Sequence, residues 1–282
     1  MIADKDTNFV YFSQLLASTT KFEHSCKNII QILDESGVNY GFLKGTKDIW
    51  TRDFMPIQVE QDLNIEYIYD PNYLQGKKWR KIKSYSHLVC EINGIPTKRT
   101  DLIIDGGNVI KSGDAVIMTE KVISENLENY PRDQIIGKLK ELFQTDKLAL
   151  IPQDKDDPYG HADGMVRFID ERTVLVQGYY DSYDPKFKDQ FFGQLDNIGL
   201  SFKKMKFNVE NEDERSWAYM NFLQTDKLIL VPAFGIPEDA QAMEQIRSFY
   251  SYYKHSQIKN VDMSVIVEDG GALNCISWTV MR

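Results

Sequence analysis

Five short polar motifs recur along this chain at nearly constant intervals, and four of them sit in the same helix-strand-motif order. They are "WTRD" with Asp53, "LIIDGGNVI" with Asp105, "GHADG" with His161 and Asp163, "YMNF" with Asn221, and "EDGGALNC" with Cys275. Asp53 to Asp105 is 52 residues, the next two intervals are 58 each, and Asn221 to Cys275 is 54. A period of this size is what a repeat architecture shows, because each unit is one supersecondary module that cannot bury its apolar face alone. If such modules close around an axis, equivalent positions converge on it. The plainer reading is that turns rich in Asp, Asn and Gly recur in any αβ protein because they suit turn geometry.

Helical signals precede four of the motifs. Between residues 21 and 36, Phe22, Cys26, Ile29, Ile30 and Leu33 share one face, and Gly37 supplies the stop. Pro131 opens "PRDQIIGKLKELF", and Asp184-Pro185 forms a cap and first turn before Phe187, Phe191, Leu195 and Ile198. Pro237 begins a last helix expected to run to about Tyr253. Strand-like runs follow these helices as "VNYGFL", "KLALIP", "FKKMKF" and "VDMSVIV". No clear helix is legible before "LIIDGGNVI".

Composition limits the classes of function. At 282 residues, 42% hydrophobic and 27% charged, the chain can bury a large core without metal or disulfide staples. It has no apolar run near the ~20 residues of a membrane span, and "MIADKDTNFVYF" lacks the basic and apolar regions of a signal peptide. Cys26, Cys90 and Cys275 are odd in number and far apart, so a reducing, cytoplasmic setting is expected. A net charge of −9 disfavours nucleic acid and anionic membrane as partners and mildly suits a cationic ligand.

The stretch "DIWTRDFMPI" puts Arg52 and Asp53 among Trp50, Phe54 and Met55, where an unpaired acid is expensive. Asp53, Asp105, Asp163, His161 and Cys275 together make chemical sense. A nucleophilic cysteine needs a positioned acid/base, usually histidine. Enclosed carboxylates need a cation, and Arg52 is the one obvious basic neighbour. A planar guanidinium would suit them, since it meets carboxylates in fork geometry. Each residue also has a bland reading: Cys275 as a small buried apolar group, His161 as a turn residue, "DGGN" and "EDGG" as hairpin turns, and Trp50 and Trp217 as core. His24, His87 and His255 lie in ordinary polar surroundings and receive no role.

Taken in order, "WTRD", "DGGN", "GHADG" and the "GG-A-L-N-C" run resemble the guanidino-group-modifying enzymes, with the nearest likeness to the agmatine deiminase and bacterial peptidylarginine deiminase group. The resemblance covers residues 8 to 281, and "YMNF" is similar to the group's fourth-module sequence. It implies an α/β fold, a five-module ββαβ propeller of pentein type with a central active site, and one domain of five pseudo-repeats over residues 1–282.

The resemblance further implies that Cys275 attacks the guanidinium carbon while Asp53 and Asp163 grip the nitrogens. His161 would protonate the departing ammonia and then deprotonate water, with Asp105 orienting it. Trp50 and Asn221 complete the expected substrate-binding set. The products would be ammonia and a ureido compound, with no cofactor and no metal. Agmatine is the leading substrate. The alternatives are free or peptidyl arginine, an amidinotransferase, and a catalytically silent binding module. The chain departs from the group's pattern: it lacks an "MPAEW"-like opening, has Met55 where Gly is usual, and has Asn274 where His usually precedes the cysteine.

Overall fold

Why a chain of short strands should recur with a helix between them follows from how parallel strands connect. An antiparallel pair can be joined by a tight turn, but a parallel pair needs a crossover, usually helical. The computed structural model, which describes residues 1–282, uses the crossover five times and the direct antiparallel connection four times, the fifth antiparallel pair being made by the two ends of the chain. The strands are β1 (Phe9–Ser13), β2 (Asn39–Leu43), β3 (Ile57–Glu60), β4 (Leu63–Ile68), β5 (Lys98–Ile103), β6 (Ile110–Lys111), β7 (Ala115–Thr119), β8 (Lys147–Ile151), β9 (Val166–Phe168), β10 (Thr173–Gln177), β11 (Ser201–Met205), β12 (Leu223–Gln224), β13 (Ile229–Ala233), β14 (Ile258–Asp262) and β15 (Ser277–Val280). They form five three-stranded sheets ordered β15-β1-β2, β3-β4-β5, β6-β7-β8, β9-β10-β11 and β12-β13-β14.

In every sheet the middle strand is antiparallel to the strand before it and parallel to the strand after it. The crossovers carry the helices Glu23–Ser36, Ser86–Ile92, Arg132–Phe143, Pro185–Asn197 and Glu238–Phe249. The result is a five-module ββαβ propeller. The middle strand β7 is covered on both faces, with all five of its residues buried, and reads as a nearly continuous apolar run. The ring is closed by pairing the two ends of the chain, with Phe9 opposite Val280 and Phe12 opposite Ser277. Trp278 fastens this seam by stacking on Tyr11 and donating its indole N–H to the Pro56 carbonyl at 2.7 Å.

Four expected helices are present. Asp184 caps its helix by accepting from the Phe187 N–H, and Gly37 stops the first helix in the left-handed conformation. Three expectations need correcting. The last helix ends at Phe249 rather than Tyr253, because Tyr250 turns its buried ring inward and its hydroxyl donates to the Phe168 carbonyl. The run "VDMSVIV" is not a strand: β14 lies earlier, at Ile258–Asp262, and Ser264–Val267 is a helical turn entered where Asp262 accepts from the Ser264 N–H. The second module does hold a helix, Ser86–Ile92.

In each module the chain leaves the third strand and enters one of the polar motifs. Asp53 follows β2, Asp105 follows β5, His161 and Asp163 follow β8, Asn221 follows β11, and Cys275 follows β14. The near-constant spacing is therefore the length of one module.

Candidate active site

Asp53 lies in a helical turn, Thr51–Phe54, whose four residues are all buried. Its neighbour Arg52 does not pair with it. The guanidinium turns away, to 3.9 Å from Asp4 Oδ1, and donates to the Thr279 hydroxyl and the Asn274 carbonyl. The expectation that Arg52 could serve the acids of the site is therefore wrong. Asp53 instead keeps one buried carboxylate oxygen without a hydrogen-bond partner. Burial pushes its pKa up to about 8, against the pull of His161.

His161 stands between two carboxylates. Its Nε2 is 3.0 Å from Asp105 Oδ2 and its Nδ1 is 3.7 Å from Asp53 Oδ1. Burial opposes the imidazolium, but these acids outweigh it and hold the pKa up to about 10. The backbone of His161 is fixed by its N–H donating to Asp157 at 2.8 Å. This packing demands the glycine pair after Asp105. A Cβ on Gly106 would fall 1.9 Å from the Arg52 carbonyl oxygen, and one on Gly107 would fall 2.7 Å from Asp53 Oδ1. "DGGN" is thus a link between β5 and β6 shaped by close approach, not a hairpin turn.

Cys275 is held from the backbone by its N–H donating to Asn221 Oδ1 at 3.1 Å. Its sulfur lies 3.6 Å from Asp163 Oδ2. The same oxygen accepts from the amides of Asn221 at 2.8 Å and Asn274 at 2.7 Å. Burial, with Asp163 and Asp53 adding to it, pushes the Cys275 thiol well above its ordinary value.

These groups meet at a cavity of about 770 Å³ whose walls include Trp50, Asp53, His161 and Cys275. Asp105, Asp163 and Asn221 stand immediately behind, at 2%, 2% and 0% exposure. Asn221 was expected to bind substrate. Its amide is instead spent on Asp163 and the Cys275 backbone, so it props the site rather than facing the cavity. Trp50 does face the cavity, and its ring is seated against Gly271, where a Cβ would lie 2.3 Å from it. Asp48, Glu268 and Asp269 add negative charge to the walls, Tyr73 and Tyr159 add aromatic surface, and Lys47 is the one basic lining residue besides His161. Arg80, Arg99 and Arg167 lie elsewhere, on Gln75, Glu66 and Asp4. His24, His87 and His255 are exposed.

Some site residues gave no signal or a misread one. Asn274 stands out in the sequence only as a departure from the group's pattern, yet it braces Asp163. Lys121, 3% exposed, donates to Asp105 Oδ2 at 2.6 Å, and nothing in "MTEKVIS" distinguishes it from a solvated helix residue. Asp48 was visible within "DIW" but its place beside Asp53 was not. Nowhere in the chain do three or more His, Cys, Asp or Glu side chains gather as a metal would require, and no helix is long and apolar enough to cross a membrane.

The model of the Porphyromonas-type peptidyl-arginine deiminase family matches residues 14–280. The chain belongs to that family. As a member of the peptidyl-arginine deiminase family it is an amidine-hydrolysing enzyme of the guanidino class. It is similar to a proposed agmatine deiminase of Mycoplasma capricolum, at 25% identity across 82% of this chain and 74% of that protein. The fold is shared with the agmatine deiminase of C. jejuni, with a TM-score of 0.75 and 17% identity over 98% of this chain and 94% of the other. It is shared equally with the agmatine deiminase of Enterococcus faecalis, with a TM-score of 0.74 and 18% identity over 100% and 95% of the two chains.

Proposed function

We propose that the protein is an agmatine deiminase that works through a covalent intermediate on Cys275. What carries the reading is one arrangement: Cys275, His161 and Asp53 open on a single cavity, with Asp163 at the sulfur and Asp105 at the imidazole. Asp53 and Asp163 grip the guanidinium and set its carbon against the sulfur, and the cation they receive lowers the cost of ionising the thiol. As the cation binds, the thiol gives up its proton to solvent, and the thiolate adds to the guanidinium carbon. A C–N bond then breaks as His161 gives its proton to the leaving ammonia, which leaves a thiouronium on Cys275. Water attacks that carbon, His161 takes a proton back, and the C–S bond breaks to release the ureido product.

Charge on the cavity walls favours agmatine over arginine. An α-carboxylate would enter among Asp48, Glu268 and Asp269 with only Lys47 to receive it, whereas a distal ammonium is attracted there. The test is incubation of the purified protein with agmatine, arginine and an arginyl peptide, scored as ureido product. Agmatine is expected to give the highest kcat/KM, with arginine at least ~10-fold lower, the range expected for a contact worth about 1.4 kcal/mol. Silence on every guanidine overturns the reading.

A further inference from the structure

A lysine at 3% exposure needs a reason, because burying an ammonium is expensive unless it is paired. Lys121 sits at the start of the helix Lys121–Asn126, directly behind the catalytic histidine's acid. Its Nζ donates to Asp105 Oδ2 and to Glu125 Oε1, each at 2.6 Å. The stem is confined as well, lying where a Cβ on Gly160 would meet its Cδ at 3.2 Å, and the ammonium stands 5.2 Å from the Tyr73 ring centre. The decisive detail is the oxygen it uses. Asp105 Oδ2 is also the atom 3.0 Å from His161 Nε2, so two cations share one carboxylate oxygen.

We propose that Lys121 is a positioning residue for His161: its ammonium holds Asp105 ionised in one orientation and competes with the imidazolium for the same oxygen, so that His161 can release its proton as well as hold it. This rests on the deiminase reading, in which one imidazole must act as acid and then as base. An imidazolium flanked by Asp53 and Asp105 with no competitor would keep its proton too firmly to become a base. Glu125 sets the strength of the competition, since it draws the same ammonium from the other side. It also accepts from the Asn72 N–H at 3.1 Å, next to Tyr73, whose hydroxyl lies 3.4 Å from His161 Nε2.

The groups that face this array are few. Asp53, Asp105 and Asp163 raise the proton affinity of His161, and Asp157 accepts from its backbone N–H. Lys121 and Glu125 act through Asp105, while Tyr67, Tyr69, Tyr73 and Tyr159 are neighbours whose burial keeps them neutral.

Two substitutions make opposite demands. In Lys121→Met the competitor is gone, so His161 holds its proton more tightly. In Glu125→Gln the lysine is left to Asp105 alone, so His161 holds its proton less tightly. Histidine-labelled NMR titration of His161 should move up in the first and down in the second, by about one pH unit each for a charge at this range. The pH profile of kcat should move in the same two directions, with kcat of Lys121→Met reduced at least tenfold at neutral pH. Should Lys121→Met not fold, the isosteric Glu125→Gln decides by its sign. Titrations that stay at the wild-type position, or that move in the same direction in both variants, overturn the proposal. The titration needs no turnover, so a wild type inactive on every guanidine would refute the deiminase reading while leaving this test intact.

Discussion

Gly107 and His161 are packed so closely that a Cβ on the glycine would lie 2.6 Å from the imidazole Nδ1. Contacts that short do not occur between real atoms without displacement, so the glycine is the condition for placing a histidine from the third module beside an acid from the second. The backbone of the same glycine also accepts from the Asp163 N–H at 3.1 Å. One residue without a side chain thus sets three site residues in register.

Gly107→Ala should therefore fold and fail to turn over. The added methyl must push His161 away from Asp53 and Asp105, and a displacement of about 1 Å in such a site costs roughly 100-fold in rate. The expected outcome is kcat/KM reduced by that order with a melting temperature within a few degrees of wild type. A near-normal rate would mean that the histidine is not held where the chemistry needs it.

The charge of the site should be visible in how Cys275 reacts. Its thiol is kept protonated by burial and by Asp163 and Asp53, so a neutral alkylating agent meets an unreactive sulfur. A cationic haloacetamidine brings the charge that those acids lack and should label at least ~10-fold faster than iodoacetamide at neutral pH. Asp53→Asn should remove most of that preference, and Cys275→Ser should remove the label. Cys26 and Cys90 are buried, with thiols that burial also pushes up, and should stay unlabelled. Mass spectrometry of the labelled peptide reads all three sites.

The legibility of this molecule divides along the difference between pattern and packing. Four crossover helices were readable because caps and periodicity agree, as at Asp184-Pro185 and Gly37. The second module's helix was not, because seven residues without a side-chain cap carry Leu88 and Ile92 at 44% and 56% exposure and so show no clean apolar face. "SVIV" reads as a strand because Val265, Ile266 and Val267 are β-branched, yet tertiary contacts place Ile266 and Val267 in the core from a single helical turn. In the site, Cys275, His161, Asp53 and Asp163 stood out because their motifs recur at module length and resemble, in order, those of the guanidino-group-modifying enzymes. Lys121 could not, since its meaning lies in which oxygen it touches.

The raised proton affinity of His161 has a consequence for stability. Its ordinary value is 6.5 and the folded protein holds it to about 10, so folding binds a proton there that the unfolded chain sheds. This contribution is complete below about 6.5 and is lost as pH rises through about 10. Asp53 works in the same direction: its raised pKa, about 8, means that ionising it in the fold costs stability as pH climbs from its ordinary 3.8. The melting temperature should fall between pH 7 and 10, and less steeply in His161→Gln than in wild type. Calorimetry across that range checks it, and parallel curves for the two proteins would contradict it.

Asp4 offers the test furthest from the chemistry. Its carboxylate is the shared anion for Arg167 at 3.1 Å and for Arg52 and Lys111 at 3.9 Å, all of them buried or nearly so. Burial alone would raise its pKa, but the three cations hold it below the ordinary value. Arg52 links this cluster to the site, because its side chain reaches the Asn274 carbonyl and its N–H donates to the Cys275 carbonyl at 3.1 Å. Asp4→Asn keeps the shape and removes the charge, which leaves two guanidinium groups buried without an anion. Breaking a buried pair in this way costs about 3 kcal/mol, read as a lower urea midpoint at pH 7. Because the wild-type contribution depends on an ionised Asp4 with a depressed pKa, it fades as pH falls through the folded value. The gap between wild type and variant should therefore close in acid, and a gap that persisted there would assign the loss to shape rather than charge.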